Sequence, residues 1–291
     1  MILVTGATGK IGSRLAKHLM ESGNRIRVVS RSEEKIEDFK KKGAEPAVGN
    51  LLDRDFCLRA FDGCGRAFLL VQGDPASGRH YEEEVQIGKN YAEALRTTDI
   101  EHAIFISSLG VEKGTGSALI DSKIQIEADL KDTGIPVTVI RPGNFLENMY
   151  NFFETISSAG FFTYPMPGNI KIPHVSVDDI AEIAFKAFRR GPNGWEIIDM
   201  PGIEYSFFDI AMEISEKLNR MIKYMRVSDD QFREVFTGFG ISDKFCDDYL
   251  AMFRYFEEGD FNYDPQSMPS EFDYSPKTLE EFVPELVRAI K

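Results

Sequence analysis

The chain has 291 residues, 43% hydrophobic and 28% charged, a balance that excludes a disordered or fibrous protein and leaves room for one large α/β domain or a domain with a small lobe. Its net charge of −13 argues against nucleic acid or an anionic membrane surface as the main partner. Three cysteines without metal-ligand spacing, four histidines without a ligand motif, a strand starting at residue 2 and no apolar run of ~20 residues point to a cytoplasmic protein with no metal, no signal peptide and no membrane span.

The apolar run Ile2-Leu3-Val4 leads into Gly6-Ala7-Thr8-Gly9-Lys10-Ile11-Gly12. An amphipathic pattern then continues from Lys10 to about Ser22, with Ile11, Leu15, Leu19 and Met20 on one face. Strand, glycine turn and helix in that order is the context that makes such spacing evidence for a bound dinucleotide. Gly6 takes the tight turn, Gly9 admits a pyrophosphate to the backbone, and Gly12 lets the helix pack close to the strand. The first helical N–H groups and the helix dipole favour phosphate charge.

Ile26–Ser30 reads as the second strand, and Ser32 as the cap of a charged helix reaching Lys42, where Gly43 stops it. Ala44–Val48 is the third strand, and Asp53 or Asp55 caps a helix to about Phe61. Arg66–Val71, Ala103–Ser107 and Pro136–Arg141 follow as strands, separated by helices over about Tyr81–Thr97 and Leu119–Lys131. This alternation predicts a parallel sheet covered on both faces, with ligands at the carboxyl ends of its strands. After Pro142 the rhythm breaks. A helix is expected around Phe145–Ser157, then a helix to about Arg189 capped by Ser176 or Asp178, a strand over Trp195–Met200, and capping-box starts at Ser206, Ser228 and Thr278. Residues 1–150 are expected to form the dinucleotide-binding part and residues 151–291 a lobe packed on it.

Dinucleotide folds often place a carboxylate at the end of strand two, on the ribose hydroxyls of NAD. Here that place reads Val29-Ser30-Arg31-Ser32, with Lys35 one turn on and no carboxylate before Glu33. An arginine suits a 2′-phosphate, because its planar fork binds phosphate oxygens bidentately. The expected cofactor is therefore NADP(H).

With these features, Ser107-Ser108, Lys123 and Ile140-Arg141-Pro142-Gly143-Asn144-Phe145, the chain resembles an atypical short-chain dehydrogenase/reductase. It is most similar to the NmrA-like branch, which includes NADPH-dependent quinone reductases, triphenylmethane-dye reductases and isoflavone-reductase relatives. The resemblance covers most of residues 1 to 190. It implies a Rossmann-type, doubly wound parallel sheet with a smaller C-terminal α/β lobe. It also implies that Gly6, Ala7, Thr8, Gly9, Lys10, Ile11 and Gly12 hold the pyrophosphate and Arg31, with Lys35 nearby, the 2′-phosphate. Asn50 and Leu51 then lie near adenine, and Leu70, Val71 and Gln72 line the cofactor. Ser107, Pro142, Asn144 and Phe145 border its nicotinamide end.

The chain departs from the wider superfamily in one respect. Tyr-x-x-x-Lys puts a tyrosine and a lysine on one helix face, where the lysine holds the nicotinamide ribose and lowers the tyrosine pKa. Here Lys123 occupies the lysine place and position 119 is Leu. Ribose anchoring is retained on paper and the usual proton donor is lost. Lys123 itself remains a candidate acid, as implied by the isoflavone-reductase relatives. Reduction of a plain ketone leaves a strongly basic alkoxide, whereas a quinone leaves an oxyanion near phenol in basicity, pKa ~10, that water can protonate. The expected activity is hydride transfer from NADPH to a small, apolar, electron-poor acceptor: a quinone, dye, enone or imine. The alternative is a redox sensor that binds NADP(H) without turnover. Monomer and homodimer both stay open. Phe145, Met149, Phe152 and Phe153 are candidates to wall the acceptor pocket, while Phe232, Phe236, Phe245, Tyr249, Phe253 and Phe256 read as lobe packing.

Overall fold

Short apolar strands alternate with amphipathic helices through the first half of the computed structural model, which describes residues 1–259 and 261–290. The order is β1 (Ile2–Val4), α1 (Lys10–Glu21), β2 (Ile26–Ser30), α2 (Glu37–Lys41), β3 (Glu45–Val48), α3 (Arg54–Phe61), β4 (Arg66–Leu69), α4 (His80–Thr97), β5 (His102–Ile106), α5 (Ala118–Lys131) and β6 (Val137–Pro142). The second half holds β7 (Asn144–Phe145), α6 (Phe153–Ala159), β8 (Phe161–Tyr164), β9 (Ile172–Val175), α7 (Val177–Arg190), β10 (Trp195–Met200), β11 (Ile203–Tyr205), α8 (Phe207–Leu218), β12 (Lys223–Arg226), α9 (Asp229–Gly238), α10 (Asp243–Glu258) and α11 (Leu279–Ile290).

Seven strands form one sheet in the order β10-β6-β5-β4-β1-β2-β3, and every neighbouring pair is parallel. The chain winds outward from β1 to β3, returns to β4, and winds the other way to β10. The switch between β1 and β4 opens a crevice at the carboxyl edge, the place where such sheets take ligands. Successive side chains of β1 face opposite ways. Val4 packs with α1 and α7 through Leu15, Leu19, Ile180 and Phe188, while Leu3 packs with α3, α4 and α5 through Phe61, Tyr91, Leu95 and Ile126. This is the Rossmann-type, doubly wound α/β arrangement expected from the strand rhythm. No described helix is long and apolar enough to cross a membrane.

The lobe has its own aromatic core. Tyr164 stacks on Phe207 at 4.6 Å, and Phe162, Phe253 and Phe282 are buried around them. Two small sheets, β11-β9-β7 and β12-β8, carry it. β10 leaves the lobe and pairs with β6 along its whole length, from Trp195↔Val137 to Met200↔Pro142.

The capping signals are largely as read. Asp53 takes the N–H groups of Asp55 and Phe56, Ser176 takes that of Asp178, and Ser206 and Ser228 close full capping boxes with Asp209 and Gln231. Thr278 and Glu281 exchange the same pair of bonds. Two readings are corrected. Ser32 does not cap the next helix: its N–H donates to Ser30 Oγ (3.0 Å), which in turn donates to Ser32 O (2.8 Å), and the chain enters α2 through a 3₁₀ turn, Glu34–Ile36. The hydroxyl that closes the turn belongs to the strand end. The helix expected over Phe145–Ser157 is replaced at its start by β7, because Asn144 and Phe145 pair with His174 and Val175. A 3₁₀ stretch, Leu146–Phe152, follows before α6.

Two histidines are sealed in this fold as neutral rings. His102 Nε2 lies 3.1 Å from Thr138 Oγ1, whose own proton goes to Glu196 Oε2 at 3.2 Å, so Nε2 carries the hydrogen. Burial, aided by Arg66 and Arg190, pushes the His102 pKa down to about 4. His174 donates from Nδ1 to Ile172 O at 2.8 Å, and burial pushes it down to about 4 as well. In the unfolded chain a histidine titrates near ~6.5. Between that value and about 4 the unfolded chain binds more protons, so stability is highest above the window and falls as pH drops through it. The urea midpoint should therefore fall from pH 7 to pH 4, and His102→Gln should flatten part of that slope. An unchanged slope in the variant contradicts this account.

Candidate active site

The glycine turn is built from backbone contacts that side chains would prevent. Gly6 sits at φ +63°, and Gly9 N–H donates to Gly6 O at 2.9 Å. A Cβ on Gly12 would stand 2.3 Å from Gly6 O, so the first turn of α1 lies directly on the strand turn. Thr5 Oγ1 donates to Phe68 O (3.0 Å) and accepts from Leu70 N–H (2.8 Å), tying the end of β1 to that of β4. Tyr91 donates to Leu70 O at 2.8 Å from below. α1 starts without a side-chain cap and without an acidic residue in its first turn, which leaves its leading N–H donors for an anion. Ala7 and Ile11 are buried, so the groups they can offer a ligand are main-chain ones.

A cavity of about 300 Å³ opens beside this turn. Of the residues singled out from the sequence, Gly6, Thr8, Arg31, Asn50, Leu51, Leu70 and Gln72 line it. Arg31 is exposed at its wall, and its guanidinium has no hydrogen-bond or ion-pair partner among the described residues. Lys35 is exposed and Val71 is buried, and neither is part of this lining. Asn50 Oδ1 accepts from Leu52 N–H at 3.0 Å, and buried Asn90 donates to Leu51 O at 2.8 Å, so the turn after β3 is held from both sides. Asn90 was not legible as a site-forming residue. Its signal was a lone amide on the inward face of α4.

A second cavity, about 210 Å³, lies along the same edge. Pro142, Asn144 and Phe145 line it, as do Ser108, Leu109, Leu119 and Ile120. Its far wall is Tyr249, Met252 and Phe256 of α10, with Phe261. This reverses part of the aromatic reading. Met149 is buried in the lobe core, and Phe152 sits edge-on to Tyr164 at 4.9 Å. Of that earlier set only Phe145 reaches the lining, while Tyr249 and Phe256, read as packing, form part of it. Residues i, i+3 and i+7 of a helix share a face, but the sequence does not say which neighbour that face meets.

Three other expected residues are engaged with carboxylates or carbonyls. Ser107 Oγ donates to Glu127 Oε1 at 2.5 Å, and Glu127 also binds Arg141 through Nε (3.0 Å) and Nη2 (2.6 Å). The adjacent Ser108 is the serine that faces the cavity. Lys123 Nζ donates to Glu84 Oε2 (2.6 Å) and to Leu119 O (3.0 Å), and it lines neither cavity. Glu84 also accepts from Ser122 Oγ and from Gly73 N–H (3.3 Å), so Lys123 is held as one member of a buried polar cluster. Lys10 Nζ reaches from the glycine turn to Glu147 O at 2.9 Å, and burial lowers its pKa. The Glu147 carboxylate, raised by burial, accepts from Ser176 Oγ (2.7 Å) and Val177 N–H (3.0 Å).

The residues around the first cavity fit a phosphorylated dinucleotide: a cradle that a Cβ would fill, open helical N–H groups and an unpartnered guanidinium. Comparison with known proteins points the same way. The NAD(P)H azoreductase of Xenophilus azovorans is 25% identical over 255 residues, covering 85% of this chain and 84% of its own. The NADPH-dependent quinone oxidoreductase of Escherichia coli, solved with NADPH, superposes with a TM-score of 0.82 at 21% identity, over 99% of this chain and 100% of that one. The triphenylmethane reductase of Citrobacter sp., solved with NADP(H), gives 0.81 at 18% identity, over 98% and 99%. The model of the NmrA-like family matches residues 1–283, and the chain belongs to that family.

Proposed function

We propose that this protein is an NADPH-dependent reductase of small, apolar, electron-poor acceptors. The observation that carries the reading is the pair of cavities along one sheet edge, one with an unpartnered arginine and the other walled by apolar side chains. In this reading residues 1–150 hold the cofactor and residues 151–291 supply the far wall of the acceptor cavity, with β10 returning to the sheet. The leading N–H groups of α1 hold the pyrophosphate, and Arg31 holds the 2′-phosphate by a bidentate, charge-assisted contact. The cofactor supplies a hydride when bound. Pro142 and Phe145 then border its reactive end, and Leu119, Ile120, Met252 and Phe256 exclude water from the acceptor.

The acceptor class follows from what the second cavity lacks. Among the described residues its polar side chains are Ser108, Asn144, Asn148 and Tyr249, with no cation and no carboxylate in the lining. A charged substrate group would enter without a partner, at a cost of several kcal/mol. A flat, uncharged or charge-delocalised acceptor meets no such penalty. The azoreductase, quinone oxidoreductase and dye reductase among the similar proteins support this class. The setting proposed is the cytoplasm, which suits three buried, free cysteines; burial pushes the Cys57 thiol up to about 12.

Purified protein should consume NADPH, followed by its absorbance, when given a panel of quinones, azo dyes and enones. Tight cofactor binding with no turnover of any acceptor would replace this reading with that of a sensor. Arg31→Ala should cost about 1.5–3 kcal/mol of NADPH affinity, the scale of a charged hydrogen bond, and leave NADH affinity nearly unchanged. Equal losses for the two cofactors would contradict the role given to Arg31.

A further inference from the structure

We propose that Tyr249, from the C-terminal lobe, supplies the hydrogen bond and proton that the leucine at position 119 cannot. This inference rests on the reductase reading. Among the described residues few side-chain O–H and N–H donors line the acceptor cavity, and most of them are engaged. Ser108 Oγ donates to Leu109 O at 3.0 Å. Asn148 Nδ2 donates to Asn144 Oδ1 at 3.0 Å, so the two amides satisfy each other in part. Lys123 is held by Glu84 and is not in the lining. The Tyr249 hydroxyl bonds no described residue. Tyr249 lines the cavity, so its free hydroxyl is the unpartnered O–H that this wall brings to it.

Its placement is rigid. The Tyr249 ring stacks on Phe232 at 5.6 Å and meets Phe245 and Phe253 at 5.9 and 5.3 Å. The phenol thus enters on α10, from the wall opposite α5, where the superfamily carries its tyrosine. Leu119 of α5 lines the same cavity.

An electron pair reaches one atom of the acceptor double bond as hydride from the reduced nicotinamide cofactor. In an azo compound the π pair of that bond moves to the other nitrogen; in a quinone the hydride adds to one carbonyl oxygen and the displaced pair passes through the ring to the opposite oxygen, which leaves an aromatic oxyanion. Towards the azo nitrogen the Tyr249 O–H bond breaks, its proton goes to that nitrogen, and the phenolate takes a proton from water. Burial pushes the Tyr249 phenol above its ordinary value of ~10. A nitrogen anion left by azo reduction is far more basic than any phenolate, so transfer to it runs downhill. A quinone leaves an oxyanion near ~10, and towards it Tyr249 acts as a hydrogen-bond donor without full transfer. The azo acceptor should therefore depend on Tyr249 much more than the quinone.

Tyr249→Phe keeps the ring and its stacking, and an unchanged melting temperature verifies that. In the full chain, kcat for an uncharged azo dye such as 4-(dimethylamino)azobenzene should fall about 10²–10⁴-fold, the range of a positioned general acid, with KM little changed. The solvent isotope effect on that turnover should disappear, while kcat for a benzoquinone should fall less than about tenfold. A readout that needs no turnover is binding of 4-nitrophenolate with NADP⁺ present, expected to weaken about tenfold or more on loss of the donor. Equal azo turnover, or equal 4-nitrophenolate binding, in variant and wild type overturns the inference. If the wild type reduces neither acceptor but still binds 4-nitrophenolate more tightly than the variant, the reductase reading fails and the donor role of Tyr249 stands.

Discussion

The contact between the first turn of α1 and the peptide at Gly6 sets the geometry of everything else at the sheet edge. With 2.3 Å between the place of a Gly12 Cβ and Gly6 O, any side chain there would lift the helix off the strand. The close approach does two things. It buries Ile11 and Leu15 against the sheet, and it aims the uncapped N–H groups of α1 into the crevice between β1 and β4. Thr5 and Tyr91 secure the other lip by holding the end of β4 at Leu70. A phosphate bound there needs no rearrangement of the backbone, which is the advantage of a preformed anion site.

The second cavity depends on how α10 is docked. His80 and Asp248, both buried, lie 3.0 Å apart, and Asp248 Oδ1 accepts the N–H of Ala118 at the start of α5. Ser117 Oγ donates to Asp248 O at 2.6 Å, and Ser242 binds Pro75 O through both N–H (3.0 Å) and Oγ (2.9 Å). These bonds pin the lobe helix across the starts of α4 and α5 and across the loop after β4. Tyr249, Met252 and Phe256 consequently face Leu119 and Ile120. Buried polar groups of this kind cost stability if half satisfied, so they specify one docking geometry.

Much of the fold was legible because strand alternation, glycine turns and capping residues act locally. β2 and β10 fall on the residues expected, and the capping boxes at Ser206 and Ser228 formed as written. The first cavity was legible for the same reason: Gly6, Arg31 and Leu70 sit at strand ends, and strand ends converge on one edge. The second cavity was not. Its far wall comes from residues more than a hundred positions away, and helical spacing of aromatics cannot distinguish a core face from a cavity face. Lys123 illustrates the same limit. Its place on α5 was readable, but its partner Glu84 lies in a run of three glutamates whose inward member only the packing identifies.

The most direct measurement is the shift in melting temperature of the full chain with NADPH and with NADH at equal concentration. A ligand that binds only the folded state adds about 2.7 kcal/mol of stability at 100 times its dissociation constant. The account predicts a clear upward shift with NADPH and a much smaller one with NADH. Equal shifts, or none with NADPH, would contradict the assignment of the crevice at Gly6 and Arg31 to a 2′-phosphorylated dinucleotide.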